Sequence, residues 1–154
     1  MQKKYALMLP LIAGSLSLAA VSAQARMTPD QVDALLKQTG EYGFTHYEEI
    51  SFDDGEVEVE GWLDNDWTAD VDFTLQGEAV REERRRRDGG ARGLSADDVR
   101  NAVKAATAEG LTQIEEIQTR RGNTIEVEGY GQNGGELEIH IDADSYQVIN
   151  IDRD

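Results

Sequence analysis

The chain contains a second, altered copy of its own sequence. At an offset of 67, Asp30, Val32, Lys37, Gly43, Thr45, Glu48, Glu49, Ile50 and Gly55 meet Asp97, Val99, Lys104, Gly110, Thr112, Glu115, Glu116, Ile117 and Gly122. One inserted residue moves the offset to 68. Glu58-Val59-Glu60-Gly61 then meets Glu126-Val127-Glu128-Gly129, and Val80 meets Val148. Matches in this order mark an internal duplication. Whatever structure the first copy favours, the second must favour too.

Each copy opens with a helix signal. Thr28 is the expected N-cap, Pro29 takes the first helical position and Gln31 completes a capping box. Ser95 caps the second helix, with Asp97 and Asp98 in its first turn, where negative charge suits the helix dipole. Val32, Leu35, Leu36 and Thr39 recur at helical spacing as a buried stripe, as do Val99, Ala102, Val103 and Ala106. Gly43 and Gly110 end the helices, and Phe44 and Leu111 supply the apolar contact beyond each stop.

Strand signals follow. Thr45 to Phe52 and Thr112 to Thr119 form the first pair, with turns at Asp54-Gly55 and Gly122-Asn123. Tyr47 and Ile50 break a period of two, which predicts a bulge. Val57, Val59, Gly61 and Leu63 alternate with Glu56, Glu58, Glu60 and Trp62. Ile125, Val127 and Gly129 alternate with Glu126, Glu128 and Tyr130. Ala69, Val71, Phe73 and Leu75 read as the inward side of a third strand, copied as Leu137, Ile139, Ile141 and Ala143. A fourth strand surrounds Val80, and its copy runs from Val148 to Ile151. Such alternation belongs to an antiparallel sheet with one wet face. The predicted fold is therefore α+β, with two tandem repeats, each one helix followed by a four-stranded antiparallel sheet, joined edge to edge. The expected units are residues 26–85 and 94–154. Between them Arg84 to Gly93 reads as a basic, Gly-rich linker, with 86–93 as its centre. Its four arginines fit a docking patch or processing site, or a plain solvated connection.

The first 25 residues read as an export signal. Lys3 and Lys4 precede an apolar run from Tyr5 to Ala20, and Ala23-Gln24-Ala25 is a small-x-small cleavage site. The run is short for a membrane anchor, and no Cys follows it to carry a lipid. The expected location is periplasmic or extracellular, with no membrane anchor after cleavage. The formal charge is −16, and loss of Lys3 and Lys4 would make it more negative by two. That excludes nucleic acid as a partner, because phosphate binding needs a basic footprint. With no cysteine, disulfides and thiolate metal sites are excluded.

The capped helices, Glu-rich strands, Gly turns and alternating strands resemble the PepSY family, over about Met27 to Arg85 and Leu94 to Arg153. Asp72 to Gly77-Glu78-Ala79-Val80 is similar to the family's closing motif, whereas the second copy has Ser145-Tyr146-Gln147-Val148 there. The tandem pair also resembles the arrangement of the secreted beta-lactamase inhibitor protein, in which two such units form one continuous, curved sheet with helices on its back. The resemblance implies a noncatalytic module of exported proteins and of metallopeptidase propeptides, with a role in restraining peptidases. It supplies no catalytic residues.

The residues agree on a non-enzyme. Beyond the leader only Ser51, Ser95 and Ser145 are serines, His46 and His140 are the histidines, and no spacing suggests a triad. Asp64-Asn65-Asp66-Trp67-Thr68-Ala69-Asp70 places oxygen groups at alternate positions, as a calcium loop does. Yet Ala69 stands where such a loop needs Gly and Leu75 where it needs a bidentate Glu, so a polar hairpin loop is the simpler reading. No cofactor and no metal ligand set is predicted. The outward strand positions carry Glu56, Glu58, Glu60, Asp70 and Asp72, then Glu126, Glu128, Glu136, Glu138 and Asp142. Like charges on facing strands are destabilising, and mixed charge would serve solubility better. Trp62 and Tyr130 fall on the same outward positions. The expectation is a protein-binding face with Trp62, Trp67 and Tyr130 as anchors amid Glu58, Glu60, Glu126 and Glu128, with a basic protein or a peptidase as partner. The alternatives are cation binding or sensing by the clustered carboxylates, and an acidic envelope protein with no dedicated ligand.

Overall fold

The computed structural model describes residues 26–53 and 55–154. The export signal expected over residues 1–25, and Asp54 of the first expected turn, lie outside them. The order is α1 (Pro29–Tyr42), β1 (His46–Asp53), β2 (Glu56–Trp62), β3 (Trp67–Thr74), β4 (Ala79–Arg86), α2 (Ala96–Ala108), β5 (Leu111–Arg120), β6 (Thr124–Gly131), β7 (Glu136–Asp142) and β8 (Val148–Arg153). The expectation of two repeats, each with its own four-stranded sheet, is corrected. All the strands belong to one eight-stranded antiparallel sheet ordered β4-β3-β2-β1-β5-β6-β7-β8.

The join explains the correction. Two separate sheets would leave β1 and β5 as edges with unpaired backbone groups. Here Glu49, Ile50 and Ser51 pair with Gln118, Ile117 and Glu116. Beyond this short seam, Met27 bridges Ile114 and Leu94 bridges Tyr47, with paired N–H···O distances of 2.7–2.9 Å. The segment before α1 therefore closes the free edge of β5, and the segment before α2 closes that of β1. Each half of the chain finishes the other, and the buried side chains form one core.

Thr28 and Gln31 form the capping box read from the sequence, and Ser95 caps α2 as expected, with Asp98 completing a second box there. The buried faces of the two helices are Val32, Leu35, Leu36 and Thr39, and Val99, Ala102, Val103 and Ala106. They pack on one side of the sheet, against side chains such as Val57, Val71, Phe73, Ile125, Val127 and Ile139. Full burial of each such aliphatic group contributes about 1.5–3 kcal/mol. Thr39 is satisfied inside this layer, since its hydroxyl donates to Leu35 O at 2.9 Å and lies 2.8 Å from Tyr47 Oη. Arg100 of α2 donates to Asp33 of α1 at 2.6 Å.

The bulge expected in β1 falls between Tyr47 and Glu49, and β5 shifts register between Ile114 and Glu116. Glu48 and Glu115 are thus the displaced residues. Arg84, Arg85 and Arg86 are not linker: they belong to edge strand β4 and pair with Ala69, Thr68 and Trp67. Charged side chains along an exposed edge discourage further strand pairing. Among the described residues no helix is long and apolar enough to cross a membrane.

Candidate functional site

The helices cover one side of the sheet and leave the other open. The strand registers place the open-side residues in two rows that run across the sheet. The first is Glu83, Asp70, Glu60, Glu49, Gln118, Glu126, His140 and Asn150, from β4 to β8. The second is Arg81, Asp72, Glu58, Ser51, Glu116, Glu128, Glu138 and Asp152. Carboxylates face carboxylates directly at Glu49–Glu60, Glu60–Asp70, Glu58–Asp72, Glu116–Glu128, Glu128–Glu138 and Glu138–Asp152. Each such contact costs some tenths of a kcal/mol, up to about 1.

The electrostatics follow this arrangement. Partial burial, then the Asp70 and Asp72 carboxylates, push Glu58 up. Partial burial, then Glu49 and Asp70, do the same for Glu60. Glu116 is raised by burial, then Glu49 and Glu126. Glu128 is the extreme, raised from 4.5 to about 7 by burial, a hydrogen bond to Glu126, and the charges of Glu116 and Glu138. Glu126 moves the other way. Its burial opposes ionisation, but hydrogen bonds from Arg120 and Glu128 outweigh it and hold the carboxyl low.

Sign follows by linkage. A carboxyl raised in the folded state favours folding most below its unfolded value, and that contribution disappears as pH climbs to about 7. Glu128→Gln is therefore expected to be more stable than the parent by about 1 kcal/mol at about pH 8, after discounting for solvent screening. The two should match below about pH 4. Urea unfolding at both pH values measures this. An equal difference at both would show that Glu128 is unperturbed.

The sequence placed the aromatic anchors incorrectly. Trp62 is on the open side but is 0% exposed. Its Nε1 donates to Glu48 Oε1 at 3.0 Å, and the Arg92 guanidinium lies 5.1 Å from the ring centroid. Arg87 also holds Glu48, at 3.0 Å. Trp62 is thus covered from above and offers no anchor. Trp67 is 42% exposed, but it shares the side of Ala69, Val71 and Phe73 and borders Tyr42, Leu63 and Arg84 on the helix side. Tyr130 is half-buried, with the Arg26 guanidinium 3.3 Å from its ring centroid. The three aromatics do not share one exposed surface. Glu58 is exposed and Glu60 and Glu128 are partly exposed, whereas Glu126 is 3% exposed, beneath Arg120 and Gln118. Sequence reasoning missed Glu48 as a hub. Its match with Glu115 across the repeat was the available signal.

Oxygen and nitrogen donors do gather on this face. Glu58, Asp70 and Asp72 approach within 4.8 Å of one another, and so do Glu126, Glu138 and His140, which occupy the repeat-equivalent positions. Each group already contains a guanidinium, Arg81 at 3.3 Å from Asp72 and Arg120 at 2.6 Å from Glu126. We assign a metal to neither. In the calcium-like loop, Asp64 Oδ1 accepts from the Asp66 and Trp67 amides at 2.8 and 2.9 Å, an arrangement that shapes the hairpin. Ser95 caps α2, Ser145 Oγ donates to Asp142 at 2.8 Å, and among the described residues no serine hydrogen-bonds a histidine.

No family model matches the chain, and no curated protein matches it. A solved structure of a candidate lipoprotein from Clostridium difficile 630 is similar at 13% identity and a TM-score of 0.46, covering 86% of this chain and 97% of that one. At that level of likeness neither family nor function transfers.

Proposed function

We propose that this is an exported, non-enzymatic binding module whose open sheet face docks a cationic protein partner. The observation that carries the reading is the pair of carboxylate rows, in which like charges face each other across neighbouring strands. Folding gains nothing from those contacts. Lysine or arginine side chains laid along the rows would relieve the repulsion and steer the partner's approach. The Lys3–Lys4 and Ala23-Gln24-Ala25 leader supports export to a periplasm or beyond. The PepSY resemblance favours a peptidase as the partner.

The test is capture from envelope extract, run in parallel on the parent protein and on Glu58→Lys/Glu60→Lys. One dominant basic protein, retained on the parent to a defined salt step and lost at least tenfold from the variant, is the expected result. Equal retention on both would overturn the reading. A smear of basic proteins released together at modest salt would show charge acting without specificity.

A further inference from the structure

The fold builds the same hollow twice, once in each half. In the first half a cavity of about 530 Å³ lies on the helix side, bounded by Tyr42, Gly43, Leu63, Asp64, Trp67 and Arg84. In the second a cavity of about 660 Å³ is bordered by Glu109, Gly110, Gly131, Gln132, Gly135 and Arg153. These are the repeat counterparts of the first set, in the same order. The offset is 67 for Tyr42 and Gly43 and 68 for Leu63, Asp64 and Trp67. Arg84 and Arg153 pair with the equivalent residues Ala69 and Leu137. The second half folds with Glu109, Gly131 and Gly135 where the first has Tyr42, Leu63 and Trp67. The architecture therefore does not require those apolar side chains, and Trp67 is left 42% exposed beside the hollow.

The walls of the first cavity are held in place. The Tyr42 ring packs on Phe44 and Phe73, with centroids 5.7 and 5.3 Å away. Trp67 is pinned through its backbone, its N–H donating to Asp64 Oδ1 at 2.9 Å and its carbonyl accepting from the Leu63 amide at 2.9 Å. Asp64 Oδ1 also accepts from the Asp66 amide, while its Oδ2 has no partner among the described residues. Arg84 spends its Nε–H on Glu82, and a guanidinium has further N–H donors to offer. An exposed indole, a free carboxylate oxygen and a guanidinium thus border one hollow. We propose that this hollow binds a neutral pyranose oligosaccharide, with one sugar ring lying on Trp67 and its hydroxyls bonded to Asp64 and Arg84. The C–H face of a pyranose carries partial positive charge and suits the negative face of an aromatic ring. Sugar hydroxyls both donate and accept, so they satisfy a carboxylate and a guanidinium alike. An apolar side chain of a protein partner would instead strip water from both charges and replace it with nothing. The formal charge of −16 disfavours an anionic glycan. The site lies on the opposite side of the sheet from the carboxylate rows, and stands or falls apart from docking there.

Intrinsic fluorescence reads this site, because Trp62 is wholly enclosed and Trp67 is the other tryptophan. Cellotriose, chitotriose and maltotriose are the probes, each titrated into the intact protein to about 10 mM, where even a millimolar site would be mostly filled. At least one should give a saturable blue shift of Trp67 emission and shield the indole from acrylamide. Trp67→Ala should abolish binding, read on that sugar by saturation-transfer NMR. Asp64→Asn keeps an oxygen to shape the hairpin but loses the charge, and should bind at least about tenfold more weakly, the loss of a hydrogen bond to a charged group. No response to any of these sugars would overturn the proposal. Binding that survives Trp67→Ala at parent strength would place the sugar elsewhere and overturn it equally. Parent-strength binding by Asp64→Asn would overturn the role given to that carboxylate.

Discussion

Gly129→Ala is expected to cost the fold at least about 3 kcal/mol, the upper end of what overpacking usually exacts. Gly129 lies in β6 opposite Ile114, where the register of β5 shifts. A Cβ built there would fall far inside van der Waals contact with the Gln113 carbonyl oxygen and at 3.0 Å from Ile114 Cα. Those are backbone atoms on a central strand, so neither can swing away as a side-chain end would. Gly61 repeats the situation in β2, against the His46 carbonyl oxygen. Either substitution should lower Tm by about 10 °C, and the pair together should leave no cooperative transition, because stabilities of this size of domain total about 5–15 kcal/mol. Gly40→Ala is the internal comparison. It lies in α1 with nothing within 4 Å of the added carbon, and should stabilise by up to about 1 kcal/mol. A Gly129→Ala protein within about 1 kcal/mol of the parent would contradict the strand register and, with it, the two carboxylate rows.

Trp62→Ala should destabilise by about 3–5 kcal/mol, whereas Trp67→Ala should stay within about 0.5 kcal/mol. The indole of Trp62 is wholly enclosed and its N–H is bound to Glu48. Removing it leaves a cavity beneath Arg92 and takes a donor from a carboxylate that Arg87 and Arg92 also hold. Trp67 stands 42% exposed at the start of β3. Urea unfolding of the two variants separates a structural tryptophan from a surface one. The reverse order would restore Trp62 as a docking anchor and undo the structural role assigned to it.

Local order was legible in the chain because its causes are local. Capping boxes need residues three apart, helix stripes need a 3.6-residue period, and strand faces need a period of two. The bulge near Glu48 was readable for the same reason, as a break in that period. Trp67 could also have been placed correctly, since it shares parity with Ala69, Val71 and Phe73. The burial of Trp62 could not. Its cover comes from Arg92, a residue distant in sequence, and from a bulge that turns Glu48 towards it.

An edge-to-edge join was expected from the repeat, but the pairings that turn the two units into one sheet were not legible. Its seam is three residue pairs long and is completed by the Met27–Ile114 and Leu94–Tyr47 bridges. No local pattern announces pairings of that range. Arg84 to Arg86 read as solvated linker because runs of charge usually are, yet the Trp67–Ala69 backbone of β3 draws them into an edge strand. Glu126 followed the outward parity of its strand, but parity gives direction and not exposure. Arg120 and Gln118 close over it.

The claim that the open face receives cations is tested most directly by following the protein's own carboxyl carbons by NMR while hexalysine is added. The resonances of Glu58, Glu60, Glu116 and Glu128 should move together and saturate, while those of Glu41 and Glu109 at the helix ends stay still. Movement of the helix-side carboxylates to the same extent, or no saturable movement on the open face, would contradict the docking role assigned to the two rows.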